Sequence, residues 1–517
     1  MAIIDFFDRG WGTNPRGVAY VQGERACSFQ EAGELSCRLA NGLIAAGFGK
    51  GAKAAVWAGN DVTAWICTLG IWRAGLTWIP VSGHSPPENS QFILDQFDCE
   101  VLFFTKAYKE VIDALRPRLP KIRLLVCIDA DTEWAPSLTT WSADHPSTVP
   151  RVDYDMEDVV AISATGGTTG LPKGVMNTHR SMQTYFAQYM IACAYPSERP
   201  VNLAAAPMTH TAGLLSIPCT ARGGTVVVIE KPDPKLLLDA IAGHRITEFF
   251  LPPTVIYRLL DVPGIEERDF SSLRYLLYGA APMSVDKLKR AIEVFGPVMM
   301  EGYGQTEAPA SIAFLTPGEH FVDGKLAPDE RLSSVGRPCP LVRVEILNEE
   351  GEVLSRGETG EICVQGDLVM KGYYKAPEQT AKTIVDGWLH TGDIGHFDAD
   401  GYLHITDRKK DMIISGGFNV YPSEVEQVIW SHPAVQDCAV IGVPHEEWGE
   451  TVKAVVELNV GHSTTPEEII ALCKDRLGSV KAPKSVDFVA TLPRSPVGKV
   501  LKKDLRERYW QGEQRKI

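Results

Sequence analysis

The chain has 517 residues, 44% of them hydrophobic and 22% charged, and carries a formal net charge of −14. That length supports two or three domains with a large core. The acidic balance, with no Lys/Arg cluster, excludes a nucleic-acid reader on charge grounds, and no apolar run of about 18 residues offers a membrane-spanning helix.

In chain order, the opening MAIIDFFDRGWG holds Asp5 and Asp8 and no basic stretch ahead of an apolar run, so it does not read as a secretory signal. Eleven cysteines are scattered along the chain, none in a C-x-x-C pair, most in apolar runs such as AWICTLGIW. Buried reduced thiols and a cytoplasmic setting are expected. GAKAAVWAG reads as a strand and DVTAWICTLGIWRAG as the helix after it. DVVAISA (158–164) is a strand. HRSMQTYFAQYMIACAY (179–195) is a helix with Met182, Tyr185, Phe186, Tyr189, Met190 and Cys193 on one face. Between them lies TGGTTGLPKG (165–174). Gly166, Gly167 and Gly170 let backbone N–H groups approach oxygen atoms closely, Thr165, Thr168 and Thr169 add hydroxyls, and Lys173 adds a mobile cation. These are the makings of a phosphate-binding loop. It is not the Walker A pattern, which needs Ser or Thr directly after the lysine; here Gly174 follows.

Beyond PMTH (207–210), strands and helices alternate: GTVVVIE, DPKLLLDAIAGH, ITEFFLPP, TVIYRLLDV, LRYLLYGA, then SVDKLKRAIEVFG with Ser284 as its N-cap. This alternation predicts parallel sheets covered by helices. YGAAP (278–282) closes one strand with small residues that can lie flat against a planar base. EGYGQTEA (301–308) brings an aromatic ring, Tyr303, a hydroxyl, Thr306, and a hard oxygen ligand, Glu307.

From about residue 332 the texture changes to hairpins, in VRVEILNEEGEVL, GEICVQG and GHFDADGYLHIT, as in an antiparallel sheet or small barrel. DRKKDM (407–412) is charged and lacks apolar periodicity, which suits a hinge. After it come ISGGFNVYPSEVE, two strands, and a helix opened by Thr465-Pro466-Glu467-Glu468, a capping box with proline at the first helical position. In LPRSPVGKVLKKDLRERY, Lys499 sits on a glycine turn, and Lys502 and Lys503 read as solvated charges of the last helix.

Taken in order, these blocks resemble the adenylate-forming superfamily of acyl-CoA synthetases, luciferases and peptide-synthetase adenylation domains, over nearly the whole chain. The phosphate loop departs at one letter: Gly166 stands where the family usually has serine, removing a hydroxyl donor. The resemblance implies a large N-terminal domain, residues 1–409, of helix-covered sheets with a β-barrel-like subdomain at about 332–406, and a small mobile α+β C-terminal domain, residues 410–517, hinged near Lys410. It implies ATP, Mg²⁺ and coenzyme A as cofactors. The loop 165–170 with Lys173 would hold phosphates; Gly279, Ala280, Ala281, Pro282, Tyr303 and Gly304 the adenine side; Asp393 of TGD and Arg408 the ribose. Thr306 would contact phosphate, and Glu307 with Thr168 would hold the metal. Lys499 would reach the acyl carboxylate and α-phosphate. Ser415, Gly416 and Gly417 would line the thiol tunnel. His210, Thr211, Gly304 and Ala308 would border the acyl group, with no general-base role given to His210.

Acetate- and propionate-activating relatives carry tryptophan where Gly304 stands. With apolar neighbours in THTAGLLSIP and FFLPPTVIY, an apolar acid larger than propionate is implied: fatty, aryl or alicyclic. CoA is the expected acceptor, since the chain carries only the two-domain core. Loading of a separate carrier protein, a luciferase-like oxygenase and a non-catalytic nucleotide-binding regulator stay open as alternatives, and so does a homodimer.

Overall fold

The structure is a computed structural model that describes residues 1–83, 85–165, 172–196, 198–445, 448–494 and 500–510. Two large sheets carry the N-terminal half. In the nine-stranded sheet, strands Val18–Gln22, Thr225–Val228, Val201–Ala204, Glu248–Leu251, Tyr275–Gly279 and Met299–Gln305 run parallel. Arg25–Ser28 closes one edge antiparallel, and Ala308–Leu315 with Arg337–Pro338 closes the other. The seven-stranded sheet has a parallel centre, Leu124–Cys127, Val101–Phe104, Lys53–Ala58, Thr77–Ser82 and Val159–Thr165. Its far edge is antiparallel: Lys173–Thr178, then the two residues Gly372–Tyr373. A single sheet of all these strands would exceed the size at which open twisted sheets divide.

The strands read from apolar runs form where expected because both of their faces are covered. Helix Val62–Arg73 starts at Asp61, whose carboxylate accepts from Ala64 N–H at 2.8 Å. It buries Trp65 and Trp72, which meet Trp78 edge-to-face at 5.6–5.9 Å. Helix His179–Ala192 has a Thr178–Ser181 capping box and buries Met182, Tyr185, Phe186 and Tyr189; Met190 is only partly covered. Helix Val285–Phe295 follows Ser284, but the Ser284 hydroxyl makes no cap bond; its backbone N–H donates instead to Tyr257 Oη at 2.9 Å.

Residues 343–408 form the antiparallel sheet expected from the hairpin texture, with Trp388–Phe397 paired to Gly360–Gln365, Ile384–Val385 and Leu403–Arg408. A last five-stranded sheet holds the hairpin Val435–His445/Gly449–Leu458, flanked by Ile413–Ser415, Phe418–Val420 and the parallel strand Ser485–Val489. Helix Pro466–Lys481 opens with the Thr465–Glu468 capping box read from the sequence. Lys502 is not solvated: only 19% of its side chain is exposed, and its ammonium lies 2.8 Å from the buried Glu426 carboxylate. Lys503 is half exposed, as expected of a surface charge.

Candidate active site

The blocks YGAAP and EGYGQTEA, with Asp393 and Arg408, meet at the carboxyl ends of the parallel strands of the larger sheet, where open α/β sheets hold their ligands. Tyr275–Gly279 and Met299–Gln305 are neighbours, with Gly279 opposite Gly302. A Cβ on Gly279 would come within 2.4 Å of the Gly302 carbonyl, so only glycine permits this approach. The next residue, Ala280, is left-handed (φ 65°), a conformation that non-glycine residues rarely adopt and that clusters at functional sites. The backbone of the AAP segment thus turns sharply off the sheet.

Thr306 and Glu307 form the two-residue tip of the hairpin joining Met299–Gln305 to Ala308–Leu315. Two bonds fix that tip to neighbouring segments. Asn177 donates to the Thr306 carbonyl at 3.2 Å, and Met370 N–H donates to the Glu307 carbonyl at 2.8 Å. One oxygen of Glu307 accepts from Tyr373 Oη at 2.9 Å. Lys173, at the start of its strand, places its ammonium 4.9 Å from the centre of the same Tyr373 ring. Thr165 pairs with Lys173 across the two strands that flank the loop. Gly166, Gly167, Thr168, Thr169 and Gly170 lie outside the described residues, as does Lys499.

Asp393 and Arg408 are cross-strand partners, joined at 2.7 Å. The second Asp393 oxygen accepts from Tyr303 Oη, also at 2.7 Å. Tyr303 therefore uses its hydroxyl on the carboxylate, a contact the sequence did not reveal. Burial first, then the nearby Asp393 charge, pushes the Tyr303 phenol far above its ordinary pKa, so it stays a donor. Arg408 lies within the fields of both Asp393 and Glu307. Burial pushes Glu301, at the head of the same block, up to about 8.

His210 precedes helix Thr211–Ala221, and its Nδ1 lies 2.9 Å from the Thr209 hydroxyl. Burial of the ring holds its pKa below the ordinary imidazole value. The PMTH turn is held by Asn60, whose amide donates to Ala206 and Ile229 carbonyls at 3.0 Å and accepts from Met208 N–H at 2.9 Å. Gly304 is packed, not open. A Cβ there would sit 2.4 Å from Ala310 N and 2.9 Å from the Ala308 carbonyl, because left-handed Ala310 (φ 47°) folds the backbone over it. The space expected at Gly304 is filled by main chain.

Ser415 is buried, and Gly416 and Gly417 form the two-residue turn of the hairpin Ile413–Ser415/Phe418–Val420. Both have positive φ, 58° and 83°, as a type I′ turn requires. Trp448 lies beside this turn and accepts from Gly416 N–H through its carbonyl at 3.2 Å. Its indole stacks on His445 at 4.5 Å, with the Lys484 ammonium 5.8 Å from the ring.

Residues 7–374 match the AMP-binding enzyme family, and residues 424–499 match the AMP-binding enzyme C-terminal domain. This chain belongs to the AMP-binding enzyme family. Its relatives place it among the AMP-forming acyl-CoA synthetases, which use ATP and CoA. The synthetase is 36% identical over 499 residues to a feruloyl-CoA synthase of Amycolatopsis, covering 96% of each chain. It is 41% identical over 380 residues to the medium/long-chain-fatty-acid–CoA ligase FadD8 of Mycobacterium tuberculosis, a match that takes in 72% of this chain and 65% of that protein. Among solved structures it is similar to the amide bond synthetase McbA of Marinactinospora thermotolerans, with a TM-score of 0.89, 31% identity, and 98% and 100% of the two chains covered.

Proposed function

We propose that this synthetase activates an apolar carboxylic acid larger than propionate, fatty, aryl or alicyclic, a size supported by its feruloyl- and fatty-acid-ligating relatives and not by Gly304, and passes it to the thiol of coenzyme A. The observation that carries this is the convergence of the Asp393–Arg408–Tyr303 cluster with the hairpin that ends in Glu307, whose strand runs next to the one leading into left-handed Ala280. Asp393 has both oxygens oriented and lone pairs left over, which suits a ribose diol. Glu307 has one oxygen engaged, and its other oxygen makes no hydrogen bond or ion pair among the described residues. That donor fits Mg²⁺, a hard cation normally held by one or two carboxylates together with substrate phosphates. When bound with ATP, the cation supplies charge neutralisation at the phosphates. No group of three His, Cys, Asp or Glu side chains that could hold a metal alone occurs among the described residues, as suits a metal that arrives with its nucleotide.

The carboxylate is itself the nucleophile. Its oxygen attacks the α-phosphorus, the bond to the bridging oxygen breaks, and pyrophosphate leaves. No general base is needed; alignment and neutralisation are. Lys173 and Lys499 are assigned to that neutralisation. In the second step the thiol sulfur attacks the acyl carbon, its proton passes to solvent, and AMP leaves. The Gly416–Gly417 turn would admit the narrow thiol arm. The His445–Trp448 stack with Lys484 beside it offers an aromatic and cationic surface suited to the nucleotide end of CoA, which favours CoA over a carrier protein. Lys410 is assigned as the hinge. A reducing cytoplasm belongs to the same proposal, as all eleven cysteines are free and buried.

Pyrophosphate release over a panel of acids, with and without CoA, tests the proposal. Release is expected with apolar acids and thioester only when CoA is present. Release independent of any acid would refute it.

A further inference from the structure

Lys173 and Glu307 carry opposite charges and converge on one side chain, yet no ion pair joins them among the described residues. What lies between is Tyr373. Its ring faces the Lys173 ammonium, and its hydroxyl donates to Glu307. We propose that Tyr373 is a positioning residue that holds Lys173 and Glu307 apart, leaving each free to meet the metal–nucleotide complex. This rests on the assignment of Glu307 to the metal and Lys173 to the phosphates.

The placement of Tyr373 is heavily determined. It is buried, with 6% exposure. It pairs with Val175, and Tyr374 N–H donates to Gly174 at 2.7 Å, so its strand lies directly along the one that starts at Lys173. Its own N–H donates to Thr380 Oγ1 at 2.9 Å. Just beyond it, Asp98 accepts from Tyr374 Oη at 2.7 Å and pairs with Lys375 at 2.6 Å. Three residues upstream, Met370 holds the Glu307 carbonyl. One short segment therefore grips the lysine's strand, the glutamate's hairpin and the body of the domain. Burial first, then Glu307, pushes the Tyr373 hydroxyl far above ordinary phenol values, so it remains a donor.

The consequence is electrostatic. A lysine and a carboxylate at the mouth of a phosphate site tend to close on each other when no nucleotide is present, and that pair would have to break before either could act. An aromatic face holds a cation without quenching it, and a phenol O–H orients a carboxylate without neutralising it. Tyr373 does both.

The test uses the full-length enzyme and calorimetric binding of three probes: MgATP, ATP with EDTA, and AMP. Tyr373→Phe keeps the ring and removes the hydroxyl. It should raise the Mg²⁺ concentration for half-maximal ATP binding by about 5–10-fold, with AMP affinity unchanged. Tyr373→Leu also removes the aromatic face and should weaken both forms of ATP about 10-fold, again sparing AMP. Parallel loss of AMP and MgATP binding would mark a merely structural residue and overturn the proposal, as would unchanged binding in both variants. Glu307→Gln separates the two layers. If it leaves Mg²⁺ dependence intact, the metal assignment fails. If it removes that dependence while Tyr373→Phe moves nothing, the positioning role alone fails.

Discussion

At the scale of single residues, the two carboxylates of the site are prepared differently. Asp393 is locked from both sides by Arg408 and Tyr303, whereas among the described residues Glu307 is held by one oxygen only. Rigid acceptance suits a diol that is always in one place; partial restraint suits a ligand for a cation that comes and goes. A hydrogen bond to a charged group contributes about 1.5–3 kcal/mol, so Tyr303→Phe should weaken AMP and ATP binding alike by roughly 10-fold or more in calorimetry. An effect confined to ATP would argue against a ribose-side role. Asp393, Arg408, Thr306 and Glu307 could be proposed from the sequence because each stands in a short block with its neighbours. Tyr303 was visible as an aromatic but not as the partner of Asp393, since a phenol's ring and hydroxyl serve different contacts and spelling does not choose between them. Tyr373 had no local signal: its two partners lie far away in the chain and meet it only through strand pairing. Gly304 shows the converse. Absence of a side chain looked like open space, and the backbone of Ala308–Ala310 occupies it.

At the scale of elements, caps and anchors decide what stays in place. The N-terminal helix Ile4–Thr13 is tied to helix His179–Ala192 by Ile3 N–H donating to His179 Nδ1 at 3.0 Å. That acceptor must be neutral, and burial pushes the His179 pKa down to about 4. The unfolded chain binds this proton near the ordinary value of about 6.5. The unfolded state therefore holds more protons between pH 6.5 and 4, and the contribution is present above that window and lost as pH falls through it. The thermal midpoint should drop across that range, and His179→Gln should flatten the profile. An equally steep profile in the variant would refute the assignment. The Thr465–Glu468 capping box was plain from spelling. Lys502 was not, because its partners Glu426, Asp407 and Asp411 come from two earlier stretches. Burial alone would depress this lysine; those three carboxylates more than offset it and hold its pKa above the ordinary value.

At the scale of the whole molecule, helix Pro422–Trp430 joins the last sheet to the strands that carry Arg408. Asp407 accepts from Ser423 N–H at 2.8 Å, the Ser423 hydroxyl donates to the Thr406 carbonyl, and Gln427 reaches the Met283 carbonyl at 3.3 Å, one residue past the AAP segment. Asp411, just after Lys410, pairs with Arg506 at 2.8 Å. The proposed hinge is thus flanked by polar contacts, which can exchange without uncovering an apolar core. Lys499 and the Gly416–Gly417 turn are assigned to successive half-reactions at one face of the acyl carbon, which requires rotation about that hinge. Lys499→Ala should cut acyl-adenylate formation by ~10²–10³-fold while sparing thioester formation from supplied acyl-adenylate. Equal loss of both would contradict the two-state scheme.

The pairing of Gly372–Tyr373 with Lys173–Thr178 also sets a timetable for synthesis. About 200 residues separate the lysine from the tyrosine that shelters it, so at 5–20 residues per second the phosphate strand waits roughly 10–40 s on the ribosome for its edge partner. During that interval Lys173–Thr178 is an unpaired sheet edge, the kind of surface that invites the wrong neighbour. The nascent enzyme is therefore open to mispairing at the strand that leads out of its nucleotide loop.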